Sequence, residues 1–181
     1  MAQGVRLAFV GKPNSGQIQA AVYLKRKHHF KRVRMIIGPT RFLKFLYNYK
    51  RYERPPWDKR REVYNLFYKI DPDVWINYIV RRMERTTEPV VIDDVRYVNE
   101  VQKLKEAGFT IVRFSTFEKN RAKSIGRYLG KDIVPGTVTL TEYFNKDATE
   151  ILRVDYSIFF DGSHANLHKA VDDLLKNLTT D

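Results

Sequence analysis

The sequence predicts an α/β domain built on a mainly parallel sheet. Three observations predict it. Short apolar runs rich in β-branched residues recur along the chain, clearest at Val90-Val91-Ile92. Stretches with helical apolar spacing separate them, so strands alternate with helices. The chain has 181 residues, 43% hydrophobic and 13% aromatic, which suits one domain, residues 1–181, with a sizeable core.

Residues 5–10 read as a short buried strand, and Gly11 to Gly16 as the loop that follows it. Ile18 to His28 reads as a helix. Val33 to Ile37 is a second strand candidate, closed by the turn signal Gly38-Pro39, with Thr40 placed to cap a helix. In that helix Phe42, Phe45, Leu46, Tyr49 and Tyr52 recur at helical spacing. Pro55-Pro56 breaks it, and Lys59 to Tyr68 is helical again. Asp71-Pro72 starts a helix carrying Val74, Trp75, Tyr78, Ile79 and Met83 on one face. Val90 to Ile92 is a central strand ending in Asp93-Asp94. Asn99 to Ala107 is a helix stopped by Gly108. Phe109 to Phe114 is a strand, Arg121 to Gly136 reads as irregular, and Thr141 to Ile151 as helical. Tyr156 to Phe160 is the final strand, and Leu167 to Leu178 a closing amphipathic helix. Pro55-Pro56 and residues 119–137 are the hinge candidates.

There is no cysteine, which excludes disulfides and thiolate metal sites and fits a reducing compartment. No apolar run approaches membrane-spanning length, so no membrane partner and a cytoplasmic location are expected. Of four histidines, His164 and His168 are four apart, but no acid or cysteine pattern completes a metal site. The formal charge is +12, and its placement carries the information. Between Lys25 and Arg61 stand 14 Lys or Arg against Glu53 and Asp58, a net of +12; the rest balances at 19 basic and 19 acidic. This segment, interleaved with Phe, Tyr and Trp, attracts phosphate-bearing partners, whether nucleotides, nucleic acid or an acidic protein surface.

Two stretches carry chemistry. In Gly11-Lys12-Pro13-Asn14-Ser15-Gly16-Gln17-Ile18 both glycines of the pattern G-x-x-x-x-G-K-[ST] stand at the right spacing. Such a strand, loop and helix present backbone N–H groups to a phosphate. Gln17 occupies the lysine position and Ile18 the hydroxyl position, so the cation and metal-bound hydroxyl are gone. The second stretch is Val90 to Glu100. A carboxylate at the C-terminal end of a central parallel strand faces the crevice where such folds bind ligands, and Asp94 there suits a magnesium ion. Arg96 suits phosphate oxygens, and Glu100, one helical turn on, can orient that guanidinium.

Together the segments LAFVGKPNSG, IDPDVWI, VVIDDVRYVNEVQKLKEAGF and YSIFFDG resemble the bacteriophage-type deoxynucleoside monophosphate kinases, P-loop proteins of the nucleoside monophosphate kinase group. The resemblance covers most of the chain and is weakest in the basic segment. It implies a three-layer P-loop kinase-like domain that takes ATP and Mg and phosphorylates a nucleoside monophosphate, in the host cytoplasm for a viral chain. It implies that Asp94, Arg96 and Glu100 form the substrate and catalytic cluster, with Asp94 as metal site, and that Arg60, Arg61 and Trp75 wall the substrate. Gly11, Lys12, Ser15, Gly16 and Gln17 stand in the ATP loop. Arg121 and Arg127 fall in a lid-like segment, residues 119–137. The family's loop runs S-G-K-D-T where this chain has Ser15-Gly16-Gln17-Ile18-Gln19, and Tyr64, Phe67 and Tyr68 replace a Q-x-x-G-T stretch.

Two readings stand side by side: a nucleoside monophosphate kinase with impaired or lost activity, or a non-catalytic kinase-fold protein. In the second, Lys44, Lys50, Arg51 and Arg54 of the basic segment grip nucleic acid or dock on an acidic protein.

Overall fold

The computed structural model describes residues 4–129 and 153–179. Five strands form one all-parallel sheet: β1 (Arg6–Gly11), β2 (Lys31–Val33), β3 (Val90–Val95), β4 (Thr110–Thr116) and β5 (Tyr156–Phe160), in the order β2-β3-β1-β4-β5. Seven helices are described: α1 (Gln17–Lys27), α2 (Ile37–Leu46), α3 (Trp57–Ile70), α4 (Val74–Met83), α5 (Val98–Glu106), α6 (Glu118–Leu129) and α7 (His164–Thr179).

The central strands β1 and β3 are buried on both faces, which is why they read as continuous apolar runs. Along β1 the side chains alternate. Leu7 and Phe9 pack with Ala20, Ala21 and Leu24 of α1 and Leu167, Val171 and Leu174 of α7. Ala8 and Val10 face the opposite layer, with Tyr64, Trp75, Ile76, Ile79, Val101 and Leu104 of α3, α4 and α5. Three layers result, as the sequence predicts. Because β1 and β3 are parallel neighbours, the loop after Gly11 and the Asp93-Asp94 pair emerge at the same sheet edge. The β1–β3 register shifts between Ala8, opposite Ile92, and Val10, opposite Val95. The extra β3 residue falls at Asp93-Asp94, a bulge of the kind that re-aims side chains.

Three elements differ from the sequence expectation. The second strand is Lys31–Val33 rather than Val33–Ile37, because the chain turns at once: the Ile37 amide bonds the Arg34 carbonyl and the Met35 amide bonds Asp94 Oδ1 at 2.7 Å. Gly38 and Pro39 lie inside the first turn of α2, where proline costs no hydrogen bond. Gly38 is there for packing; a Cβ on it would come within 2.5 Å of the Trp75 ring. Thr40 is not a cap, and its hydroxyl donates back to the Ile36 carbonyl at 2.6 Å. That helix also stops at Leu46, short of Tyr52. From Glu118 to Leu129 the chain is helical, not irregular; Gly126 is carried within α6. The expected helix at residues 141–151 and the rest of the lid-like segment beyond residue 129 lie outside the described residues.

Candidate functional site

The loop after β1 holds both glycines of the phosphate-loop pattern in the left-handed region. Gly11 and Gly16 have φ of 153° and 104°, values that favour glycine. A Cβ on Gly11 would meet the Phe114 carbonyl at 2.4 Å, and one on Gly16 the Phe160 ring at 3.1 Å. Gly16 is the N-cap of α1, whose first turn holds no acid. Gln17 is buried and folds back across the loop, where its Nε2 donates to the Lys12 carbonyl at 3.0 Å. It thereby braces the loop from within, but brings a neutral amide to the place where the pattern sets a cation. Arg121 of α6 braces the loop from outside. Its Nε donates to the Pro13 carbonyl at 3.2 Å, while its head is held by Glu118 at 2.6 Å. Lys12 and Ser15 line a small depression of about 220 Å³ on this flank, with Arg113, Thr116 and Arg121. Arg127 is exposed further along α6.

On the other flank a cleft of about 180 Å³ is lined by Gly11, Pro13, Asn14, Gln17, Ile18, Arg34, Trp57, Asp93, Asp94 and Arg96. The loop, the Asp pair and Arg96 therefore meet in one cleft. Both carboxylates face arginine, while Asp93 Oδ1 and Arg34 Nε, both buried, make no hydrogen bond among the described residues. Asp93 is buried and ion-paired with Arg32, with Arg34 Nε 3.6 Å from its other oxygen. Asp94 accepts the Met35 amide on Oδ1 and faces Arg34 Nε at 3.5 Å on Oδ2. Burial, and then the charge of Asp94, push the Asp93 carboxyl above its ordinary range, against the pull of Arg32 and Arg34. Arg34 thus stands where a cation would have to sit on Asp94, and Ile18 offers no hydroxyl. These donors do not fit a magnesium ion carrying ATP.

Two expected site residues are buried and hydrogen-bonded within the fold. Glu100 is 1% exposed. Its Oε1 accepts the Tyr64 hydroxyl at 2.5 Å, and its Oε2 accepts the backbone amides of Arg96 at 2.7 Å and Tyr97 at 3.1 Å. It caps α5 from its third position. Burial raises its pKa, against the pull of these hydrogen bonds. Glu100 acts on the Arg96 backbone, so its tie to the cleft is through the entry to α5. Trp75 is core, not wall: its Nε1 donates to the Tyr64 carbonyl at 3.0 Å, and its ring packs among Gly38, Tyr64 and Phe67. Tyr64, Phe67 and Tyr68 fill the space behind it, as the bulky replacements imply. Arg61 lies half-buried on α3, next to Arg60.

The basic segment folds around a second and larger feature. Along β2, at the edge of the described sheet, a groove of about 750 Å³ is lined, among the described residues, by ten Lys and Arg and by no Asp or Glu. Lys44, Arg51 and Arg54 line it, and Lys50 stands beside it over the Tyr52 ring. Arg60 lines it too, and Arg34 belongs to both groove and cleft. Burial, then the nearby charges of Arg34 and Arg54, depress the Arg60 pKa. Sequence reasoning did not single out Arg32 and Arg34. Their signal was the alternation Arg32-Val33-Arg34 leaving a strand toward an acidic pair. Among the described residues no group of three or more His, Cys, Asp or Glu is placed to hold a metal, and no helix is long and apolar enough to cross a membrane.

No family model matches the chain, and no curated protein matches its sequence. Solved structures do match its fold. A gluconokinase from Sinorhizobium meliloti superposes with a TM-score of 0.56 at 16% identity, covering 99% of this chain and 98% of that one. TT1252 from Thermus thermophilus gives 0.62 at 14% identity, over 98% and 99%. A shikimate kinase from Bacteroides thetaiotaomicron gives 0.58 at 12% identity, over 97% and 98%. At these identities the likeness is one of fold: the chain has the fold of the P-loop kinases.

Proposed function

We propose that this chain is a kinase-fold protein of the nucleoside monophosphate kinase type whose acceptor side still holds a phosphomonoester and whose donor side no longer drives rapid phosphoryl transfer. The observation that carries this reading is the Gln17 amide on the Lys12 carbonyl. Phosphoryl transfer relies on positioned charge, and a neutral group at that point removes a cation aimed at the transferred phosphoryl. Arg34 on Asp94 supports the same conclusion on the metal side. On the acceptor side Arg96 borders the cleft from the first residues after β3, with its backbone fixed by Glu100. There it offers a guanidinium to a phosphate.

The test has two arms. In a phosphotransfer assay with ATP, Mg and a panel of ribo- and deoxynucleoside monophosphates, turnover is expected at least about a hundredfold below the ordinary kinase range of about 1–100 per second. In calorimetric titrations without ATP, at least one monophosphate is expected to bind, and Arg96→Ala to abolish that binding. Turnover within the ordinary range overturns the donor-side reading, and failure of every monophosphate to bind overturns the acceptor-side reading.

A further inference from the structure

We propose that the groove along the β2 edge is a binding site for single-stranded nucleic acid. This inference is independent of the phosphotransfer reading, since it uses neither the loop nor the Asp pair. Its first support is charge without a counter-charge. Lys25, Arg41, Arg51, Arg54, Arg60 and Arg82 line the groove and make no ion pair among the described residues. They arrive from α1, α2, the turn before α3, α3 and α4. Guarding an edge strand against mispairing would account for Lys31 and Arg32, which lie on β2 itself. It does not account for cations converging from four helices and a turn. Like charges so gathered repel one another, and a run of phosphates relieves that repulsion while releasing its own counterions.

The second support is aromatic. Tyr52 lines the groove with 77% of its surface exposed, and Lys50 Nζ lies 5.9 Å from its ring centroid. Trp57, 42% exposed, lines the adjoining cleft and reaches the groove through Arg60, whose guanidinium lies 5.2 Å from its ring centroid. Open rings beside a cationic track are what unpaired bases stack on. A duplex keeps its bases inside, and an acidic protein surface has no need of exposed rings flanked by cations. The chemistry therefore favours a single strand, DNA or RNA, read through phosphate and base face without sequence preference.

The test is fluorescence anisotropy of a labelled oligo(dT) or oligo(rU) of about 16 nucleotides, the upper end of such site sizes. The same protein is titrated with a duplex of equal length and with an oligoglutamate peptide. The single strand is expected to bind in the micromolar range or tighter at low salt, and more tightly than duplex or peptide. Replacing Arg51→Glu and Arg54→Glu together should weaken it at least about tenfold and flatten the salt slope by about 1.4, at about 0.7 per lost phosphate contact. Lys169→Glu with Lys176→Glu, on α7, changes net charge equally and should leave affinity within about twofold. Tyr52→Ala should weaken binding without flattening the slope, and Tyr52→Trp should restore it. A thermal melt checks that each variant folds. The proposal is overturned by no complex at micromolar protein, by equal losses in the groove and α7 variants, or by duplex or peptide binding as tightly as the single strand.

Discussion

At the end of β1 the chain holds the glycines and turn of a phosphate-loop pattern, with a neutral amide at its centre. At the β2 edge it holds a concentration of cations gathered beside the N-terminus of α2. The two regions share Arg34, and they touch where Arg32 of the groove pairs with Asp93 and Arg60 lies over Trp57 of the cleft. Their difference separates two things a phosphate site needs. The cradle's shape is a property of φ angles and of close contacts at Gly11 and Gly16, which the sheet and Phe160 enforce. That shape survives loss of the lysine because Gln17 still reaches the Lys12 carbonyl. The charge belongs to side chains, and here it has its greatest density elsewhere.

If the wall behind the cleft is core rather than substrate site, the largest effect belongs there. Trp75→Ala should cost about 3–5 kcal/mol in urea unfolding. A loss below 1 kcal/mol with a large loss of monophosphate affinity would return Trp75 to the substrate wall. Glu100→Ala should come next, costing about 1–3 kcal/mol, because it strips an acceptor from two amides and from the Tyr64 hydroxyl. Glu100→Gln keeps one carbonyl acceptor and should cost less. A variant of unchanged stability would place Glu100 in chemistry instead.

A smaller effect concerns the sign of the charge balance at Asp93. Its folded pKa is raised above the ordinary 3.8, by burial first and then by Asp94. The native state therefore keeps this proton to higher pH than the unfolded chain. The carboxyl's contribution is full below about pH 4 and declines as pH rises through the folded value. Unfolding free energy of the wild-type chain minus that of Asp93→Asn should fall over that range. A rising difference would mean that Arg32 and Arg34 outweigh burial.

Much of this was legible in the sequence for a definite reason. Strands buried on both faces read as apolar runs, so β1 and β3 announced themselves, and with them the shared edge of the loop and the Asp pair, while β4 and β5 showed through their aromatic and β-branched residues. The neutral position 17 was legible by spacing alone. What stayed hidden depended on partners distant in the chain. Gly38 reads as a turn until Trp75 is seen against it. Glu100 reads as an acid near an arginine until Tyr64, from α3, is seen to bury it. Asp94 reads as a metal ligand until Arg34 arrives from the edge strand. Glycine within α6 reads as a breaker, though a helix tolerates one at a cost of about 1 kcal/mol. The count of charges between Lys25 and Arg61 was plain, but not that helices as far on as α4 would add Arg82 to the same groove.

The claim that cradle and charge have parted is tested most directly by calorimetric titration of ATP·Mg into the unmodified protein and into the Gln17→Lys, Ile18→Thr double variant. Binding weaker than millimolar is expected for the unmodified chain and at least about a tenfold gain for the variant, since the glycine turn is already in place and a cation and a hydroxyl are what the loop lacks. Micromolar binding of ATP·Mg by the unmodified chain, unchanged in the variant, would contradict that claim.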